Sequence, residues 1–400
     1  MVSKWQKIKL GEILSLTSGK SKTKQNLHQF SEPFQVPVYG GNGINGYTDK
    51  SLVNERVIVI GRVGEYCGSV YLTEDMSWIT DNALYTKSVT KGTNLKYLYY
   101  LLSYSDLGRL RSQSGQPQVS QKPIYELEVD FAPKEDQFKI ASILSSVDEA
   151  IEKTQAVIEQ MGKVKKGLMQ QLLTRGIGHT KFKKTEIGEI PEVWEIVSLG
   201  NVAKVQGGYA FKSSDAKQEG IRWLKIANVG IGDIKWGEES FLPEKYEEKY
   251  NEYVLKEDDI VMAMTRPILN NELKIAVIKS SDIPALLNQR VCRFHLTSMI
   301  DRQFFYQLAR NSFFVKEIQL KIMGTDPPNV SSKQIEDIQI PLPPITEQVQ
   351  IANILKEIDK KANKEARCVK YLQDMKKGLM QSLLTGKVRV KVDEAEVTQV

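Results

Sequence analysis

The chain is poor in the residues that carry most metal and nucleophile chemistry. Its 400 residues include three Cys (Cys67, Cys292, Cys368) and three His (His28, His179, His295), all far apart. An odd, scattered set of cysteines argues against a disulfide framework and for a reducing compartment, the cytoplasm. No cluster has metal-ligand spacing, so a zinc site is not expected. No apolar run approaches the ~18 residues of a membrane span, and the opening MVSKWQKIKLGEIL lacks the apolar core of a signal peptide. Neither sign of charge dominates: Lys+Arg is 55 and Asp+Glu 49, a net +6 that permits a nucleic-acid partner without demanding one. With 41% hydrophobic and 26% charged residues, the chain is neither collagenous nor wholly disordered. At roughly 150 residues per domain, the length suggests two to three domains.

What is present is a repeat. The segment from Pro133 returns from Pro344 at an offset of 211 without a gap, with 17 of 42 positions identical. The longest identity sets Lys165-Lys166-Gly167-Leu168-Met169-Gln170 against Lys376-Lys377-Gly378-Leu379-Met380-Gln381. Upstream, Val119-Ser120, Ile124, Leu127, Val129 and Phe131 match Val330-Ser331, Ile335, Ile338, Ile340 and Leu342. The last three of each set alternate as in a half-buried strand. The block starts match more loosely: Trp5…Leu10-Gly11-Glu12-Ile13 resembles Trp194…Leu199-Gly200-Asn201-Val202, with Gly19 opposite Gly208. Val57–Arg62 resembles Asp259–Arg266. The organisation is head 1–132, helix 133–180, head 181–343, helix 344–391 and tail 392–400. Divergent heads on similar stalks suggest that the heads read different things and the stalks share one job.

In the first stalk Ile140, Leu144, Val147, Ile151, Thr154, Ile158, Met161, Lys165, Leu168 and Leu172 alternate at spacings of four and three. Ile351, Leu355, Ile358, Ala362, Glu365, Val369, Leu372, Lys376, Leu379 and Leu383 repeat that pattern, a sustained heptad seam of coiled-coil type. About 40 helical residues span roughly 60 Å. Lys165 and Lys376 interrupt the seams at matched places, where they either snorkel to water or fix register and face a partner. Lys163 to Lys184 holds seven Lys/Arg and no acid, and Lys376 to Val392 holds five and none. Such runs suit a helix C-terminus, or a patch for DNA or an acidic partner. Gly176 and Gly386 are expected stops.

The heads mix short β-patterned runs (Val57–Ile60, Ser69–Leu72, Ala276–Ile278) with late helices (Leu95–Leu102, Asp301–Lys321), an α+β pattern. Their polar loops carry Lys20, Asn42 and Asn45 in the first head and Lys212, Asn270 and Asn271 in the second. Arg62 and Arg266 follow the matching strands. Amides and cations of this kind read base edges and phosphates, although each loop taken alone is also an ordinary turn. The placement of the two arginines favours phosphate contact over base reading.

Three catalytic look-alikes fail. Asp326-Pro327-Pro328-Asn329 lacks the aromatic that stacks on a flipped base, and no glycine-rich signature for S-adenosylmethionine occurs. Gly19-Lys20-Ser21 has Leu14 where a P-loop needs glycine. Asp259 with Glu272-Leu273-Lys274 mimics a nuclease core only in spacing, and no Ser-His-Asp order supports nucleophilic catalysis.

Together, Trp5…Leu10-Gly11-Glu12, Ile260-Val261…Arg266, Gly324…Pro328-Asn329-Val330-Ser331, Pro343-Pro344…Glu347-Gln348 and Lys376-Lys377-Gly378-Leu379-Met380-Gln381…Thr385-Gly386 resemble the specificity subunit of type I restriction–modification systems, over nearly the whole chain. The first copy departs by lacking the double proline at Ala132-Pro133 and by carrying Gln118 opposite Asn329. The resemblance implies two target-recognition domains on two helical spacers packed as an antiparallel coiled coil. Each domain would read one half of a split sequence in double-stranded DNA. The helices would hold modification subunits, which carry S-adenosylmethionine, and restriction subunits would join them. This chain itself would hold no cofactor. Seam residues Leu144, Ile151, Leu168, Leu172, Leu355, Leu372, Leu379 and Leu383 are then the expected subunit interface. The other readings are a self-contained methyltransferase or nuclease, which the missing motifs and the length disfavour, and a coiled-coil adaptor with no DNA role.

Overall fold

A computed structural model describes residues 5–391 except 113–114, 238–239 and 325. The chain forms two compact units, residues 1–156 with 365–400, and residues 157–364. The tail 392–400 lies outside the described residues. The unit boundaries cut through both stalks, because each head packs on part of both helices.

In unit 1 a four-stranded antiparallel sheet runs in the order Leu14–Ser18, Ala83–Val89, Ile58–Gly61, Val70–Leu72. A three-stranded sheet runs Gly43–Thr48, Val36–Gly40, Trp78–Ile79, its last pair parallel. Gln6–Lys9 pairs with Glu128–Phe131. The head's helix Leu95–Tyr104 starts at Asn94, whose side chain accepts from Tyr97 N.

Unit 2 repeats every part. Its four-stranded sheet is Ala203–Gly207, Val291–Leu296, Ile260–Ala263, Ile275–Val277, and its three-stranded sheet is Phe241–Leu242, Ile221–Leu224, Ala285–Leu287. Glu195–Ser198 pairs with Gln339–Leu342, and Arg302–Ala309 starts at an Asp301 cap. The heads thus share one topology although their sequences match only at the edges and in one strand. The helix expected over 301–321 is two helices, Arg302–Ala309 and Ser312–Ile322, because the Asn311 side chain caps the second by accepting from Phe313 N.

The long helices span Lys134–Arg175 and Ile345–Leu383. Each closes a core it does not start from. Leu172 and Leu173, from the end of the first, are buried in the head 2 core beside Ile351, Ala352 and Leu355. Leu383 and Leu384, from the end of the second, are buried in the head 1 core beside Ile140, Ala141 and Leu144. Within each unit the helix segments run antiparallel: Lys376 Nζ is 2.5 Å from Asp148 in unit 1, and Lys165 Nζ is 2.6 Å from Asp359 in unit 2.

The repeated acid–Gln step at each helix start latches these parts together. Glu347 accepts from Trp194 Nε1 and from Ile177 N, both at 2.9 Å, and lies 2.8 Å from His179 Nε2. Asp136 accepts from Trp5 Nε1 at 3.1 Å in the same way. Gln348 accepts from Asp301 N (2.7 Å) and donates to Pro343 O (2.8 Å). Gln137 accepts from Asn94 N and donates to Ala132 O, both at 2.9 Å. One buried amide therefore ties the capped start of each head helix to the turn that opens the spacer.

Candidate nucleic-acid interface

Lys20 and Lys212 are each exposed in the loop that follows the first strand of its four-stranded sheet, although position by position Lys20 matches Tyr209. Gly19 and Gly208 set both loops: a Cβ would strike the carbonyls of Ile79 and Thr80 in head 1, and of Leu287 and Asn288 in head 2. In head 1 the Lys20 carbonyl accepts from Trp78 Nε1 (3.1 Å), and Lys22 Nζ lies 4.0 Å from the Trp78 ring centroid. In head 2 the loop carries Tyr209 and Phe211 into an aromatic cluster with Tyr246, Tyr250 and Tyr253.

Arg62 is half-buried at the base of the Lys20 loop. Its Nη1 donates to Ser18 Oγ (3.0 Å), and the Gln118 amide oxygen accepts from its Nε and Nη2 (3.1 and 3.2 Å). Arg266 is not its structural counterpart. Gly61 and Ala263 hold matching sheet positions, so Arg62 corresponds to Met264 and Arg266 to Gly64. Gly64 and Arg266 both have positive φ, 88° and 48°, and both amides donate to a proline carbonyl, Pro117 and Pro328. Arg266 thus keeps a left-handed backbone made for glycine while projecting an exposed guanidinium. At the same junction Thr265 Oγ1 donates to Asn329 Oδ1 (2.8 Å), the place that Gln118 fills in head 1.

The asparagines go elsewhere. Asn270 and Asn271 are the two turn residues of the hairpin Ile268–Leu269 and Glu272–Leu273, with φ of 51° and 61°; asparagine is favoured there for backbone reasons. They line a cleft with Lys165, Lys166 and Arg310. Asn42 lines a cleft of mixed charge, with Asp148, Glu149 and Glu152 on its helix wall and Arg56 and Lys96 among the other lining residues. Asn45 is exposed on the strand Gly43–Thr48. Within each head the candidates are therefore spread over more than one loop and cleft.

The seam residues are spent inside the chain. Leu144 and Leu355 are fully buried, Ile151, Leu172 and Leu383 are buried, Leu168 and Leu379 pack against the head cores, and Leu372 is half-buried. Apolar side chains of the long helices that stay exposed include Val157, Val164 and Ile354 in unit 2 and Tyr371 in unit 1. A heptad pattern shows that a seam exists, and here the partner that fills it is the chain's own second helix.

Sequence reasoning missed Arg293, which sits buried in head 2. It donates from Nε to Gln206 (2.9 Å) and from Nη1 to Val254 O (2.8 Å) and Asp259 (3.1 Å), and from Nη2 to Glu252 O. It holds the 252–254 backbone beneath the tyrosines. Burial and the Arg293 charge push His295 below the ordinary histidine range. Asp259 is consumed here, and Lys274 Nζ donates to Ile226 O, so the nuclease-like spacing corresponds to no assembled centre. The run of tyrosines at 246, 250 and 253 was the available signal for this lobe. Among the described residues no cluster could hold a metal ion, and no helix is long and apolar enough to cross a membrane.

The sequence model of a family described as the type I restriction modification DNA specificity domain matches residues 2–160 and 191–367. The chain belongs to that family of specificity subunits. The MjaVIII specificity subunit, a type I restriction enzyme component of Methanocaldococcus jannaschii, is 37% identical to it over 400 residues, covering 97% of this chain and 93% of that relative. The crystal structure of the type I S subunit from M. genitalium superposes with a TM-score of 0.63 at 19% identity, covering 95% of this chain and 96% of that one. A chain from a study of complex assembly in the type I R-M system gives 0.55 at 13% identity, covering 96% and 98%. As a specificity subunit the chain has a non-catalytic DNA-recognition role.

One residue tests the recognition surface without disturbing the fold. Arg266→Gly removes the guanidinium and relieves left-handed strain, so stability should stay within about 1 kcal/mol. Specific and non-specific DNA should both bind more weakly, with the salt slope reduced by about one unit. A titration at several salt concentrations reads both quantities. An unchanged slope would remove Arg266 from the phosphate contacts.

Proposed function

We propose that each head reads one half of a split duplex sequence and that the paired helices fix the gap between the half-sites. The observation that carries this reading is the single head topology, built twice with unlike loops on a repeated two-helix frame. The working parts are recognition domains 1–132 and 181–343 and spacers 133–180 and 344–391. Lys20, Arg62, Lys212 and Arg266 are the phosphate-side contacts. Asn45 is the candidate base reader, while Asn42, Asn270 and Asn271 shape the clefts against the spacers. The outer face of the helical pair holds the modification subunits, which supply S-adenosylmethionine, and restriction subunits complete the assembly. Work on genomic DNA with unpaired cysteines suits the cytoplasm.

Purified chain with labelled S-adenosylmethionine and target DNA should give only background incorporation. Adding the modification subunit should start methylation at a two-part site. Incorporation by the chain alone would overturn the division of labour.

A further inference from the structure

In each unit a part-buried carboxylate on one long helix takes donors both from the facing helix and from the head. In unit 1, Asp148 Oδ1 receives Lys376 Nζ from the facing helix, and its Oδ2 accepts from Tyr100 Oη of the head 1 helix (2.7 Å). In unit 2, both oxygens of Asp359 receive Lys165 Nζ (2.6 and 2.7 Å), and Oδ2 accepts from Gln307 Nε2 of the head 2 helix (3.1 Å). Asp148 and Lys165 lie 17 residues apart on the first long helix, and Lys376 and Asp359 lie 17 apart in reverse order on the second. A single antiparallel register therefore satisfies both pairs.

We propose that the two nodes are register keys: Asp148 and Asp359 are positioning residues that select one alignment of the spacer helices and bind each head to it. The leucine seam cannot do this alone. It repeats every heptad, so a slip of about 10 Å restores its facing pattern. The pairs are also poor sources of stability. Burial, reinforced by Arg310, pulls Lys165 below the ordinary lysine range, against the attraction of Asp359. A well-packed apolar pair is commonly as stable as a buried ion pair, and registry is the best-attested use of a polar group in a coil. The second donor extends the effect to the head, because the atom group that fixes the helices also fixes Tyr100 or Gln307.

This inference rests on the reading of the helices as a ruler. The test is methylation by the reconstituted complex at sites with the native gap and with gaps one base pair shorter or longer. Lys165→Leu with Asp359→Leu, alone and combined with Lys376→Leu and Asp148→Leu, should melt near the parent temperature. The ratio of off-gap to native-gap methylation should rise by about tenfold for the combined variant. The exchange Lys165→Asp with Asp359→Lys should restore the parent ratio. Folded apolar variants with an unchanged ratio would overturn the proposal. If the apolar variants do not fold, Asp359→Asn reads the same ratio, with the same outcomes. A parent complex indifferent to the gap would instead overturn the ruler reading itself.

Discussion

Aspartate at Leu355 or Leu383 is expected to unfold the unit that contains it, whereas aspartate at Val164 or Tyr371 should leave both units folded and abolish subunit assembly. Leu355 is fully buried in the head 2 core and Leu383 nearly so in the head 1 core. Losing a buried leucine costs about 2–5 kcal/mol, and a carboxylate in its place adds several more unless it takes up a proton. The total rivals the roughly 5–15 kcal/mol that holds a domain together. Val164 and Tyr371 are 46% and 68% exposed, so the same change there leaves the cores untouched. Circular dichroism melts separate the two classes, and a sizing column with the modification subunit reads assembly. A Leu355→Asp protein that melts like the parent but fails to assemble would return the docking surface to the seam.

The helices were legible because a repeat preserves them nearly residue for residue, and the 3.5-residue period survives substitution within it. The identity of the heads was legible only at their edges and in the strands Ile58–Gly61 and Ile260–Ala263. Other interior strands need only residues of suitable shape, so Ala83–Val89 and Val291–Leu296 hold the same place without a matching sequence. A seam pattern does not say whose helix fills it, so the burial of Leu144, Leu355 and Leu383 within the chain itself was not legible. The register keys were half visible: Lys165 and Lys376 stood out as polar breaks, while their partners Asp148 and Asp359 lay outside the a/d positions. Among the DNA candidates, Asn270 and Asn271 also serve a hairpin turn, a backbone role open to any polar loop of this kind. Arginine misled about equivalence, since Arg62 and Arg266 end matching strands two positions apart. Arg293 gave no signal because its partners, two backbone carbonyls and the Gln206 and Asp259 side chains, come together only in the folded lobe.

On the proposed reading, two heads read two half-sites across a gap that the helical pair fixes. One inserted base pair rotates a half-site by about a tenth of the helical turn and moves it about 3.4 Å, which no side-chain adjustment recovers at both ends. The direct measurement is methylation by the parent complex at its own site and at sites whose gap is one base pair longer or shorter, with both half-sites intact. Methylation should fall by about a hundredfold at either altered gap, a loss comparable with a mismatched base pair. Equal methylation at every gap would contradict the account, because the heads would then read DNA without the helices between them measuring anything.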